Sequence, residues 1–67
     1  MNTKQVKKRM KDLHITAVGM AEELGVDPST YFRKMKNNGA GFSAMDLLII
    51  KRVLNLNEQD ALDFLLS

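Results

Sequence analysis

The 67-residue chain carries one histidine, His14, and no cysteine. That removes most of the side chains that run thiolate, covalent or metal chemistry. There is no Ser/His/Asp set and no glycine-rich phosphate loop. The neighbouring acids Glu22 and Glu23 occupy adjacent positions, which point different ways on a helix. These absences read against an enzyme and against any cofactor, metal or small-molecule ligand. The residues with usable chemistry are cationic, and they are unevenly placed. Through Lys36 the basic side chains are Lys4, Lys7, Lys8, Arg9, Lys11, Arg33, Lys34 and Lys36, against Asp12, Glu22, Glu23 and Asp27. From Asn37 onward only Lys51 and Arg52 face Asp46, Glu58, Asp60 and Asp63. A basic half joined to an acidic half suits a polyanionic partner on one side of the molecule; ordinary solvated helix surface is the competing reading of charge alone.

The elements that must position these charges are written in caps. Five times, a polar N-cap candidate follows an apolar residue and precedes another four helical positions in, the hydrophobic staple. The five are Met1-Asn2…Val6, Ile15-Thr16…Met20, Val26-Asp27…Tyr31, Phe42-Ser43…Leu47 and Leu56-Asn57…Ala61. Asn2…Gln5 adds a capping box, with Ser43…Asp46 and Asn57…Asp60 as weaker versions. The fold class is therefore all-α, with five helices. At ~100° per residue the inner faces are Val6, Met10 and Leu13; Ala17, Met20, Ala21 and Leu24; Tyr31, Phe32 and Met35; Leu47, Ile50, Val53 and Leu54; and Ala61, Leu62 and Leu65. Val18, Leu48, Phe64 and Leu66 fall outside these arcs. Gly25 ends the second helix where φ > 0 is needed, and Pro28 opens the third, where its missing N–H is harmless.

The length suits one domain with one modest core, burying ~60% of its unfolded surface. No apolar run approaches a membrane span or the h-region of a signal peptide, and the lack of cysteine suits a reducing cytosol, so a cytoplasmic protein is expected.

Between the second and third helices lies Ala21-Glu22-Glu23-Leu24-Gly25-Val26-Asp27-Pro28-Ser29-Thr30-Tyr31. A short helix stops on glycine, three residues turn, and a capped helix begins, as in a helix-turn-helix running from about Thr16 to Asn37. Here the chain resembles the lambda-repressor-like (Cro/CI, Xre) helix-turn-helix family, and within it the short Cro- or repressor-like proteins of bacteriophages of Gram-positive bacteria. The residues that carry the likeness are Ala21, Leu24, Gly25 and Val26, then Ser29-Thr30-Tyr31-Phe32-Arg33-Lys34-Met35. The Asn37-Asn38-Gly39 turn, Phe42-Ser43 and the closing Leu54-Asn55-Leu56 add to it. The resemblance implies a compact five-helix domain that binds double-stranded DNA operators, commonly as a homodimer, in a phage or prophage regulator. Two departures stand out: Ala17, where the family often has glutamine, and Gly19 inside the second helix, where glycine is unfavourable by ~0.5–1 kcal/mol and close approach of another backbone is one explanation.

With residues 28–37 as recognition helix, the base-reading candidates are Ser29, Thr30 and Arg33, since a guanidinium grips guanine O6 and N7 bidentately. Backbone candidates are Thr16 at a helix N-terminus, Lys34, Lys36, Asn37 and Asn38. Phe32 is expected to pack rather than to touch a thymine methyl, and His14 to fill a turn. The lysine face of the first helix is open between DNA backbone and solubility. For a dimer seam the candidates are Leu48, Phe64 and Leu66. The alternative function is a protein-binding modulator on the same fold, docking on a repressor or other partner without reading DNA; the apolar residues outside the core arcs favour it.

Overall fold

The computed structural model describes residues 1–66 and consists of five helices: α1 (Thr3–Asp12), α2 (Ala17–Leu24), α3 (Pro28–Lys36), α4 (Ala44–Val53) and α5 (Glu58–Leu65). No strand occurs among the described residues, and no helix is long and apolar enough to cross a membrane. α2 packs on both α3 and α4, and α1 on α5.

Each helix opens at the residue its sequence marks: Asn2, Thr16, Asp27, Ser43 and Asn57. Four of these side chains accept the orphan N–H three residues on, at 3.2 Å from Gln5, 3.0 Å from Gly19, 3.1 Å from Asp46 and 2.7 Å from Asp60. Asp27 makes no such bond; Pro28 after it removes one donor and presets φ for the first turn. The reciprocal capping box forms at Ser43, whose N–H donates to Asp46 Oδ2 at 2.9 Å. It does not form at Asn2, because the Asn2 N–H donates instead to the Phe64 carbonyl at 2.8 Å and ties the start of α1 to α5.

The helix ends are built as uniformly as the starts. After α1, α2, α3 and α4 the chain passes through one residue at positive φ: His14 (59°), Gly25 (72°), Asn38 (58°) and Asn55 (53°). In each case that residue's N–H and the next one return to helix carbonyls, as in Val26 to Ala21 at 3.0 Å and Gly25 to Glu22 at 3.1 Å. This is the Schellman arrangement, which satisfies carbonyls the helix leaves orphaned. Three of the residues that follow, Ile15, Val26 and Leu56, are apolar and pack in or against the core. Each closes one helix and staples the next, which keeps the connections after α1, α2 and α4 short.

The core comprises Val6, Met10, Met20, Ala21, Tyr31, Met35, Ile50, Leu54, Leu56 and Leu65. Four expected placements are corrected. Leu13 is exposed because α1 ends at Asp12 and leaves Leu13 as its C-cap. Phe32 and Leu62 are exposed, 56% and 52%, each lying one step around the helix from an inward residue. Phe64, expected outside the core, is half-buried and packs against it. Gly19 has no foreign backbone near it among the described residues: the one close neighbour a Cβ would meet is Thr16 Oγ1, at 3.2 Å. Its bare Cα leaves room for the cap hydroxyl.

Candidate nucleic-acid interface

What α3 presents outward follows from what holds it down. Tyr31 and Met35 are 3% and 5% exposed. The Tyr31 hydroxyl donates to Met10 Sδ at 3.2 Å. Burial pushes the Tyr31 phenol above its ordinary pKa, so it stays a proton donor in that contact. On the N-terminal side α3 is set by the turn at Gly25, with fully buried Ala21 letting the helices approach and Val26 half-buried beneath.

With that inner edge fixed, Ser29, Phe32, Arg33, Lys36 and Asn37 are exposed. Their spacing of three, four, seven and eight is one helical stripe. Ser29 and Arg33, of the three base-reading candidates, lie on it; Thr30 is half-buried at its margin. Lys36 and Asn37 lie on it too, and Asn37 is the C-cap of α3. Asn38 is exposed, but its backbone is committed to the left-handed turn. Thr16 is exposed, and while its oxygen accepts the Gly19 N–H its own O–H remains a donor. Lys34 is drawn off the stripe. Its Nζ stands 5.5 Å above the Phe42 ring centre, and its stem runs along Gly41. The ammonium gains the ring's negative face while the methylenes cover apolar surface.

Between α1 and α3 lies an open groove of about 620 Å³. Met10, Ile15, Ala17, Tyr31, Phe32 and Met35 supply its apolar lining, and Lys7, Lys11 and Lys36 its charge. This sorts the lysines of α1, which periodicity alone does not. Lys7 and Lys11 stand on the side of Phe32 and Lys36, whereas Lys8 lines a separate hollow with Gln5, Arg9, Asp12 and Phe64. Arg9 is structural. Its Nε donates to the Leu54 carbonyl at 3.0 Å and a terminal nitrogen to the Asn55 carbonyl at 3.4 Å, satisfying the end of α4. Sequence reasoning misses this, because the partners are 45 and 46 residues apart. Arg52 pairs with Glu23 at 3.3 Å, both largely exposed. Neither Arg33 nor Lys36 has an ion pair among the described residues.

Of the seam candidates, Leu48 (59% exposed) and Leu66 (64%) line one apolar hollow of about 280 Å³ with Ala44, Leu47, Ala61 and Leu65. Phe64 is not with them. It faces the α1 side beside Gln5 and Arg9, so of the three candidates only Leu48 and Leu66 lie together. No family model, curated protein or solved structure matches the chain.

Proposed function

We propose that the chain is a sequence-specific double-stranded DNA-binding protein, a phage or prophage regulator of the Cro/repressor kind. In this reading α2 and α3 form the helix-turn-helix of a lambda-repressor-like domain, and residues 28–37 enter the major groove. The observation that carries it is the stripe on α3: Ser29, Arg33, Lys36 and Asn37 exposed together, with no ion pair for either cation among the described residues, on a helix anchored from behind by Tyr31 and Met35. Arg33 reads guanine through its fork, and Ser29, near the helix N-terminus, bonds a base edge or phosphate. Lys36, Lys7 and Lys11 neutralise phosphates along the same side. Lys34 supports the turn onto Phe42 more than it supports DNA contact.

A single recognition helix reads too few base pairs to select one site in a genome. In this reading two copies pair about a twofold axis with Leu48 and Leu66 as the seam, and together address a palindrome whose half-sites lie ~34 Å apart. The competing reading, a modulator that docks on a protein partner, draws on the exposed apolar side chains Val18, Met45 and Leu62. The two differ in salt behaviour, since only phosphate contacts release condensed counterions.

The test is selection of bound duplexes from a random pool, followed by titration. The expected result is a palindromic site whose affinity falls steeply with salt; no complex at micromolar protein and low salt would overturn the reading. In the same assay Arg33→Ala should lose ~1–3 kcal/mol of discrimination at one guanine per half-site. An unaltered base-preference profile removes Arg33 from the reading face.

A further inference from the structure

Phe32 is more than half exposed, while its neighbour Tyr31 is buried. It lies beside Arg33 on the outer stripe, one turn after Ser29 and one turn before Lys36. Its ring meets that of Tyr31 edge to face, with centres 6.0 Å apart and planes inclined at 64°. The ring is therefore propped against a buried aromatic while its outer surface stays in solvent. Such an apolar surface, at the edge of a polar and cationic stripe where it borders the groove between α1 and α3, gains by covering apolar atoms on whatever the stripe meets.

We infer that Phe32 is a specificity-determining residue that covers the C5 methyl of a thymine next to the guanine gripped by Arg33. The inference rests on the DNA-binding reading of α3. In the major groove the base edges offer donors, acceptors and one apolar feature, the thymine methyl. A phenyl ring forms no hydrogen bond with the first two kinds, so it selects for the third. Arg33 and Phe32 are successive residues, ~100° apart around the helix, so they address neighbouring base pairs rather than the same one. The stripe then reads a guanine by hydrogen bonds and an adjacent thymine by methyl burial.

Wild-type protein and its selected duplex supply the test, with each dT replaced singly by dU, which removes the methyl and nothing else. One position in each half-site, within about two base pairs of the Arg33-dependent guanine, should raise Kd about three- to fivefold, the worth of one buried methyl group. Placing 5-methylcytosine in a duplex that carries cytosine at that position should recover part of the loss. Phe32→Ala should bind the dT duplex less tightly by a similar factor and respond no further to dU there. Binding without any methyl-sensitive position overturns the assignment alone, and so does a sensitivity that survives in Phe32→Ala. Failure of the wild-type chain to bind any duplex overturns the DNA reading and takes this assignment with it. Because the dU series uses unaltered protein, instability of the variant does not blur the outcome.

Discussion

Gly25→Val should lower the melting temperature by about 10–20 °C, while Gly25→Asn should lower it by only a few degrees. Gly25 sits at φ 72° between α2 and α3, with nothing within 4 Å of the place where a Cβ would stand. The penalty is therefore backbone strain and not collision. A left-handed residue with a side chain costs about 1–2 kcal/mol, and β-branching raises that to about 2–3. For a domain this small each kcal/mol moves the midpoint by about 4–8 °C, against a total stability of about 3–10 kcal/mol. The chain contains its own control, because His14, Asn38 and Asn55 hold the same position after α1, α3 and α4 at φ 53–59°. Side chains that tolerate this conformation fill three of four equivalent turns, so asparagine is acceptable at the fourth and valine is not. Thermal melts followed by circular dichroism decide it; an unchanged midpoint for the valine variant would mean that the turn does not depend on a left-handed residue.

The starts of the helices are legible in the sequence because caps and staples are local: the residues that satisfy the first N–H groups lie within four positions of one another. The ends are legible only where glycine marks them. His14 and Asn55 hold the same left-handed position as Gly25, but histidine and asparagine occur in many settings, and only backbone geometry distinguishes this one. Face assignment from periodicity errs in a consistent direction. On α3 and α5 it places in the core the residue one step after an inward position, Phe32 or Leu62, whereas the residue three steps after that position, Lys34 or Phe64, is the one that turns in. From Ala61 to Leu66 every residue but Asp63 is apolar, so hydrophobicity alone leaves the rotation of α5 undetermined. On α3 the inward-leaning position holds a lysine, and a charge there argues for solvent until Phe42 and Gly41 are seen beneath it. The consequence for the site is direct: the same rotation that withdraws Lys34 brings Phe32 out beside Arg33. Arg9 at the end of α4 and the Asn2 tie to α5 depend on tertiary packing, which no local pattern encodes.

The triple replacement of Lys7, Lys11 and Lys36 by alanine should weaken duplex binding at 0.1 M salt by on the order of 10²–10³ and flatten the salt dependence by about 2.7 units of slope. Each phosphate contact contributes about 0.9 to the slope of log K against log salt, so at 0.1 M it supplies nearly a factor of ten relative to 1 M. These three side chains are exposed and share the groove that Phe32 lines. Truncating them disturbs little packing, and the melting temperature should stay within a few degrees of the wild-type value. The base-preference profile should also persist, because phosphate contacts set affinity and register without carrying sequence information. Lys8→Ala is the matched control. It removes the same charge from the same helix on the side that faces Gln5, Asp12 and Phe64, and should leave the slope unchanged. Equal effects from Lys8 and from Lys7 or Lys11 would mean that the helix acts through net charge and not through a DNA-facing edge. A slope unmoved by the triple variant would take α1 and Lys36 out of the interface, and a wild-type complex insensitive to salt would favour the protein-docking reading instead.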